Sequence, residues 1–145
     1  MKIISRMLAV AGLCVMLFSC STTKKMGATA MNGEWNVVNI KGEAITPSSE
    51  TPFIGFDMSD NRIYGFTGCN RMTGTLSPEE VKNGTIDFGR IACTRMACPD
   101  SKYENMFLGV LGEIKKIKND GKNIRLCDDS GNTIITLEKR LTNKK

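Results

Sequence analysis

Two short segments constrain this chain more than any others: Gly68-Cys69-Asn70-Arg71 and Ala92-Cys93-Thr94-Arg95-Met96-Ala97-Cys98-Pro99. Each crowds cysteine, glycine and polar residues between runs of strand-forming sequence, so here a cross-link can tie distant parts of the chain together. Whether those cysteines pair depends on the compartment in which the chain folds. The N-terminus is therefore read next.

Lys2 and Arg6 form a positive n-region, and Met7 to Phe18 is an apolar run long enough for an h-region but too short to span a bilayer. Its end, Leu17-Phe18-Ser19-Cys20, is similar to the lipobox of bacterial lipoproteins, in which the cysteine becomes the lipid-modified first residue. The expectation is a signal peptide over residues 1–19, lipidation at Cys20 and a flexible polar tether over residues 20–32. Several acyl chains, at about 0.8 kcal/mol per buried CH2, make such a membrane anchor permanent. By resemblance to lipoprotein sorting rules, Ser21 in place of aspartate directs the protein to the outer membrane. The lack of an acidic cluster after Cys20 favours its periplasmic face.

Beyond the tether, apolar alternation dominates. Trp35, Val37, Val38 and Ile40 predict a first strand from Gly33. Ile54, Phe56 and Met58 predict a second, joined to Arg62–Thr67 by the Ser59-Asp60-Asn61 turn. Gly65 and Gly68 suggest a bulge, a bend or a close approach of another chain segment. Thr75-Leu76 reads as a short strand, Ser77-Pro78 as a turn, and Thr85 to Ile91 as another strand with Ile86, Phe88 and Ile91 apolar. From Asp100 the period changes: Tyr103, Phe107, Val110, Leu111 and Ile114 fall on one helical face, with Ser101 and Glu104 spaced as a capping box. Strands return at Ile114–Lys118, Asn123–Cys127 and Thr133–Glu138, separated by Asp120-Gly121 and Asp128-Asp129-Ser130-Gly131. The fold class is thus α+β, mostly β: a strongly bent antiparallel sheet or cracked β-barrel, with one amphipathic helix over its apolar face or open seam. The domain occupies residues 33–140, followed by a basic tail at 141–145.

Gly33-Glu34-Trp35, Gly68-Cys69-Asn70, Thr94-Arg95-Met96-Ala97-Cys98, and Glu104 with Phe107 and Leu111 resemble the META domain, or HslJ-like heat-shock, family over Gly33–Lys139. Gly68, Cys69, Asn70, Thr94, Met96 and Cys98 carry the motif. The resemblance implies a conical, cracked antiparallel barrel with a helix, found in bacterial envelope lipoproteins linked to heat shock, antibiotic tolerance and secretion or motility. It also implies similarity to secretion pilots that shelter acyl chains or peptides. It supplies no catalytic residue. Cysteines at 93 and 127 depart from the family pattern.

With Cys14 in the leader and Cys20 lipidated, Cys69, Cys93, Cys98 and Cys127 remain, and four thiols allow three pairings. The motif cysteines 69 and 98 form one natural pair, leaving Cys93 and Cys127 for a second bridge. Cys93 and Cys98 are nevertheless close enough in sequence for either to take Cys69. A four-thiolate zinc site competes badly with oxidation outside the cytoplasm. A thiol oxidoreductase would show Cys-x-x-Cys at a helix start, which this chain lacks.

The chain has no histidine, which removes Ser-His-Asp and Cys-His catalysis and imidazole ligation together. Glu79-Glu80 and Asp128-Asp129 sit in turn-like surroundings, and no glycine loop is shaped for phosphate. Without Lys2 and Arg6 the 20 basic residues fall to 18 against 15 acidic, about +3, and they form no cluster suited to nucleic acid. The reading is therefore a monomer with no enzymatic activity, cofactor or metal, held at the membrane through Cys20 and supporting envelope integrity under stress. Two kinds of partner fit it. Trp35, Ile54, Phe56, Phe88 and Leu126 could line a hollow for an acyl chain or apolar peptide, or simply fill the core. Arg71 and Arg95 could instead be polar contacts for an envelope protein docking outside.

Overall fold

The computed structural model describes residues 27–141. The expected signal peptide, Cys20, most of the tether and residues 142–145 lie outside the described residues. Within them, alternation of apolar and polar residues builds nine antiparallel strands: β1 (Gly33–Ile40), β2 (Glu43–Ala44), β3 (Phe53–Asp57), β4 (Arg62–Phe66), β5 (Arg71–Thr75), β6 (Ile91–Cys93), β7 (Lys116–Asn119), β8 (Asn123–Cys127) and β9 (Thr133–Lys139). Eight follow the order β6-β5-β4-β3-β1-β9-β8-β7 in one curled half-barrel sheet, and β2 pairs with β1 alone. The concave face carries Trp35, Ile54, Phe56, Ile63, Met72, Ile124, Leu126 and Leu137, all buried in one cluster. The expected α+β, mostly β fold is what forms.

Two helices accompany the sheet. The longer, α2 (Lys102–Val110), continues through a 3-10 turn at Leu111–Glu113 and buries Phe107, Val110, Leu111 and Ile114, as their helical spacing requires. Its start differs from expectation. Ser101 makes no side-chain cap; Asp100 Oδ1 accepts the Lys102 N–H at 2.9 Å, and Glu104 is engaged elsewhere. The shorter, α1 (Pro78–Lys82), replaces the expected turn. Ser77 is its N-cap, Pro78 stands in its first turn, and its single inward residue is Val81.

The segment after α1 is not the expected strand. Thr85 makes one bridge to Lys116, and Ile86 N–H donates to Lys115 O at 3.1 Å. The Asp87 carboxylate then accepts Gly89 N–H at 2.8 Å and diverts the backbone. Ile86 and Phe88 are nonetheless buried, so this strap pairs with β7 and fills the seam left by the open sheet. Met31, inside the segment read as tether, also joins the core. Ala28–Met31 forms a 3-10 turn, Met31 is fully buried, and its carbonyl accepts Trp35 Nε1–H at 2.8 Å.

Candidate functional site

The two cysteine segments meet where β4 turns into β5, with residues 94–98 running alongside. Arg71 through Thr75 and Ile91 through Cys93 are strand, so each segment is a loop only in part. Gly68 takes φ +110°, a conformation that side chains resist, and an added Cβ would crowd the Glu104 backbone nitrogen at 3.2 Å. That turn buries Asn70, 4% exposed, beneath α2.

Asn70 uses its whole side chain. Its Nδ2–H donates to Glu104 Oε1 at 2.9 Å, while its Oδ1 accepts Met96 N–H at 2.7 Å and Thr94 O–H at 2.8 Å. Its backbone N–H donates to Thr67 Oγ1 and to Glu104 Oε2, both at 3.0 Å. Thr94 N–H donates to Arg71 O at 3.0 Å, and Arg71 N–H to Thr94 Oγ1 at 3.1 Å. A disulfide between Cys69 and Cys98, Cα atoms 6.1 Å apart, locks the same two segments. One buried amide thus joins the β4–β5 turn, helix α2 and the 94–96 backbone.

The second expected bridge does not form. Cys93 and Cys127 are free. Cys93 lies in β6 at one end of the strand order, paired with Met72. Cys127 is buried in β8, next to the other end, paired with Lys116 and Thr133. Burial, and then the nearby Glu104 carboxylate, push the Cys93 thiol up from its ordinary range. Pairing of Cys69 with Cys98 also removes two thiolates from any four-cysteine metal site.

Trp35, Phe56 and Phe88, considered as lining for an open hollow, are core residues. Ile54 and Leu126 are buried in the same cluster, and Lys139 lies over the Trp35 ring at 4.5 Å. Arg71 and Arg95, read as polar contacts for a partner, are exposed. Met96 is exposed to 61%, although its backbone N–H is held by buried Asn70.

Residues not singled out from sequence complete this face. Phe53 and Phe66 point to the convex side of the sheet, because Ile54, Phe56, Ile63 and Gly65 alternate with them and face inward. The pairings Arg71–Phe66, Phe66–Phe53, Phe53–Asn36 and Asn36–Glu138 set these residues in one transverse row across five strands. The two rings are 6.5 Å apart, and Arg140 lies 4.3 Å over Phe53. On one side of the pair is a depression of about 350 Å³ lined by Ser49, Phe53, Phe66, Cys69, Arg71 and Met96. On the other a second, of about 290 Å³, shares Ser49, Phe53 and Phe66 and reaches Arg140. Alternation in Phe53-Ile54-Gly55-Phe56 could have flagged Phe53 as an aromatic on the water-facing side.

The curled sheet, its helix and the disulfide-locked asparagine turn define a small half-barrel domain. The META domain family model matches residues 28–141, and the chain belongs to the META domain family. No curated protein matches it. Among solved structures it is similar to a DUF4847 family protein from Bacteroides vulgatus, at 19% identity and a TM-score of 0.53, over 78% of this chain and 96% of that one. At that identity the likeness is one of fold.

Proposed function

We propose that this META domain protein is a non-enzymatic lipoprotein of the outer membrane, anchored through Cys20 and facing the periplasm. It supports envelope integrity under stress by docking another protein on the face around its disulfide. The observation that carries this reading is the exposed Met96 side chain on a backbone gripped by buried Asn70 and fixed near a disulfide. A polar network of that kind stabilises the fold and also holds an apolar contact in water.

The alternative is a pilot- or chaperone-like binder that shelters an acyl chain or apolar peptide inside the barrel. The close burial of Trp35, Ile54, Phe56, Phe88 and Leu126 in one cluster weighs against it. Two measurements test the proposal. Alkyne-palmitate labelling should mark the wild-type protein and not Cys20→Ala, with the label in the outer-membrane fraction; no label on the wild type would refute the anchor. Native mass spectrometry of the lipid-free protein should give the bare mass less two hydrogens, for one disulfide. A retained acyl species or peptide, released on unfolding, would replace docking with sheltering.

A further inference from the structure

The convex row around Phe53 and Phe66 says what kind of partner the docking face takes. Arg71 makes no ion pair among the described residues, and no carboxylate lines the depression it borders. The floor beside it is apolar: two phenylalanine rings, the Cys69 sulfur and the outward Met96 thioether, a polarisable group suited to varied apolar surfaces. Near the far end Arg140 is already engaged, with Nε 3.6 Å from Glu34 Oε2, while Glu138, the last residue of the row, makes no ion pair among the described residues. The uncompensated positive charge of the row therefore lies at Arg71 and a negative one at its other end. Four strand spacings separate Arg71 from Glu138, about 19 Å at ~4.8 Å each, which an extended segment of about six residues would span.

We infer that this groove binds an extended segment of a partner protein. The segment carries one bulky apolar side chain for the Phe53–Phe66–Met96 depression and, within two positions of it, a carboxylate for Arg71. Charge complementarity selects the acidic residue. The 350 Å³ depression, near the lower end of small-ligand pockets, takes the apolar one. The inference rests on the docking reading and gives that partner a chemistry.

The test uses the full chain, purified in detergent with its disulfide intact, and a displayed library of random dodecapeptides as the probe. Selected peptides should share aspartate or glutamate within two positions of Phe, Trp, Leu or Met. Made synthetically with a fluorophore, they should bind saturably and shift the amide resonances of Phe53, Phe66 and Met96. Arg71→Glu and Met96→Ala, both exposed side chains whose variants retain the fold by Trp35 fluorescence, should each weaken binding at least tenfold. Lys82→Ala, on α1, should leave it unchanged.

Selected peptides that are basic, or binding that survives both variants, would overturn the inference. Peptides mapped to another face would remove this groove while leaving the docking reading in place; the absence of any saturable binder would remove both. Decanoate displacing the peptides and shifting the same resonances would assign the groove to a fatty carboxylate. Concentration-dependent dimerisation abolished by Met96→Ala would assign it to a second copy of the chain.

Discussion

Replacing Asn70 with alanine tests whether one amide holds the cysteine segments together. The change deletes a charge-assisted hydrogen bond to Glu104 and neutral ones from the Met96 N–H and the Thr94 hydroxyl. At about 1.5–2 kcal/mol for the first and about 0.5–1 for each of the others, the loss is about 3 kcal/mol. For a domain of this size that lowers the melting temperature by roughly 12–15 °C. The single tryptophan, Trp35, is 2% exposed and reports unfolding directly. Asn70→Asp is nearly isosteric yet should cost as much, because it sets a second carboxylate within hydrogen-bonding distance of Glu104. Pairing it with Glu104→Gln exchanges donor and acceptor and restores the contact, and the introduced aspartate would still accept from Met96 and Thr94. The double variant should therefore lie within about 1 kcal/mol of wild type, a coupling of at least ~2 kcal/mol. An Asn70→Ala loss under about 1 kcal/mol, or a double variant no more stable than Asn70→Asp, would show that the network is incidental.

Reduction, or Cys69→Ser with Cys98→Ser, opens a loop closed over a sequence separation of 29 and should cost about 3–4 kcal/mol in urea denaturation while leaving the circular dichroism spectrum native. Iodoacetamide should alkylate native Cys93 slowly at pH 8 and faster as pH rises, since its raised value keeps the unreactive thiol populated; Glu104→Gln removes the second cause and should speed the reaction at pH 8, and an unchanged rate would refute that influence. Gly65→Ala places a Cβ against the Phe53 carbonyl oxygen in the middle of the sheet and should destabilise by about 2 kcal/mol or more, measured by thermal melting. Gly109→Ala in α2 meets nothing within 4 Å and should stabilise by about 0.5–1 kcal/mol in the same melt.

The strands were legible where one face is wet and the turns carry strong chemistry. β1, β3, β4, β8 and β9 lie within a residue of their expected spans, and Gly121 and Gly131 take positive φ in the last two hairpins. Helix α2 was legible because its apolar spacing has no strand reading. What failed depended on tertiary partners. The capping-box spacing is present, but buried Asn70 claims the Glu104 carboxylate and Asp100 caps instead. Alternation over Thr85–Ile91 correctly marked burial of Ile86 and Phe88, yet a strap that dips into a seam alternates as a strand does. Pro78–Lys82 has good start signals but only one buried residue, too little to show a period. The joint presence of Cys93 and Cys127 suggested a bridge, but both thiols are free, and their strand neighbours, Met72 for Cys93 and Lys116 and Thr133 for Cys127, are not cysteines. In the site, the motif located the junction, while the convex Phe53–Phe66 row emerged only with the register.

Met96 separates the stabilising part of that junction from the part that faces outward. Burying a methionine side chain stabilises by about 1.5–3 kcal/mol, and the core already holds Met31 and Met72. A segment selected for stability alone would turn Met96 inward. Instead its N–H is fixed by an amide that answers to α2, and a disulfide two residues later restrains the chain beyond it. Rigid backbone and exposed thioether together lower the entropy lost when a partner covers the side chain. The two roles therefore divide by atom: substitution at Asn70 should damage both stability and docking, whereas Met96→Ala should leave the melting temperature within about 2 °C and reduce docking alone, since exposed side chains contribute within about 0.5 kcal/mol. A Met96→Ala variant that melts as early as Asn70→Ala would place the thioether among the stabilising contacts and remove the argument for an outward function.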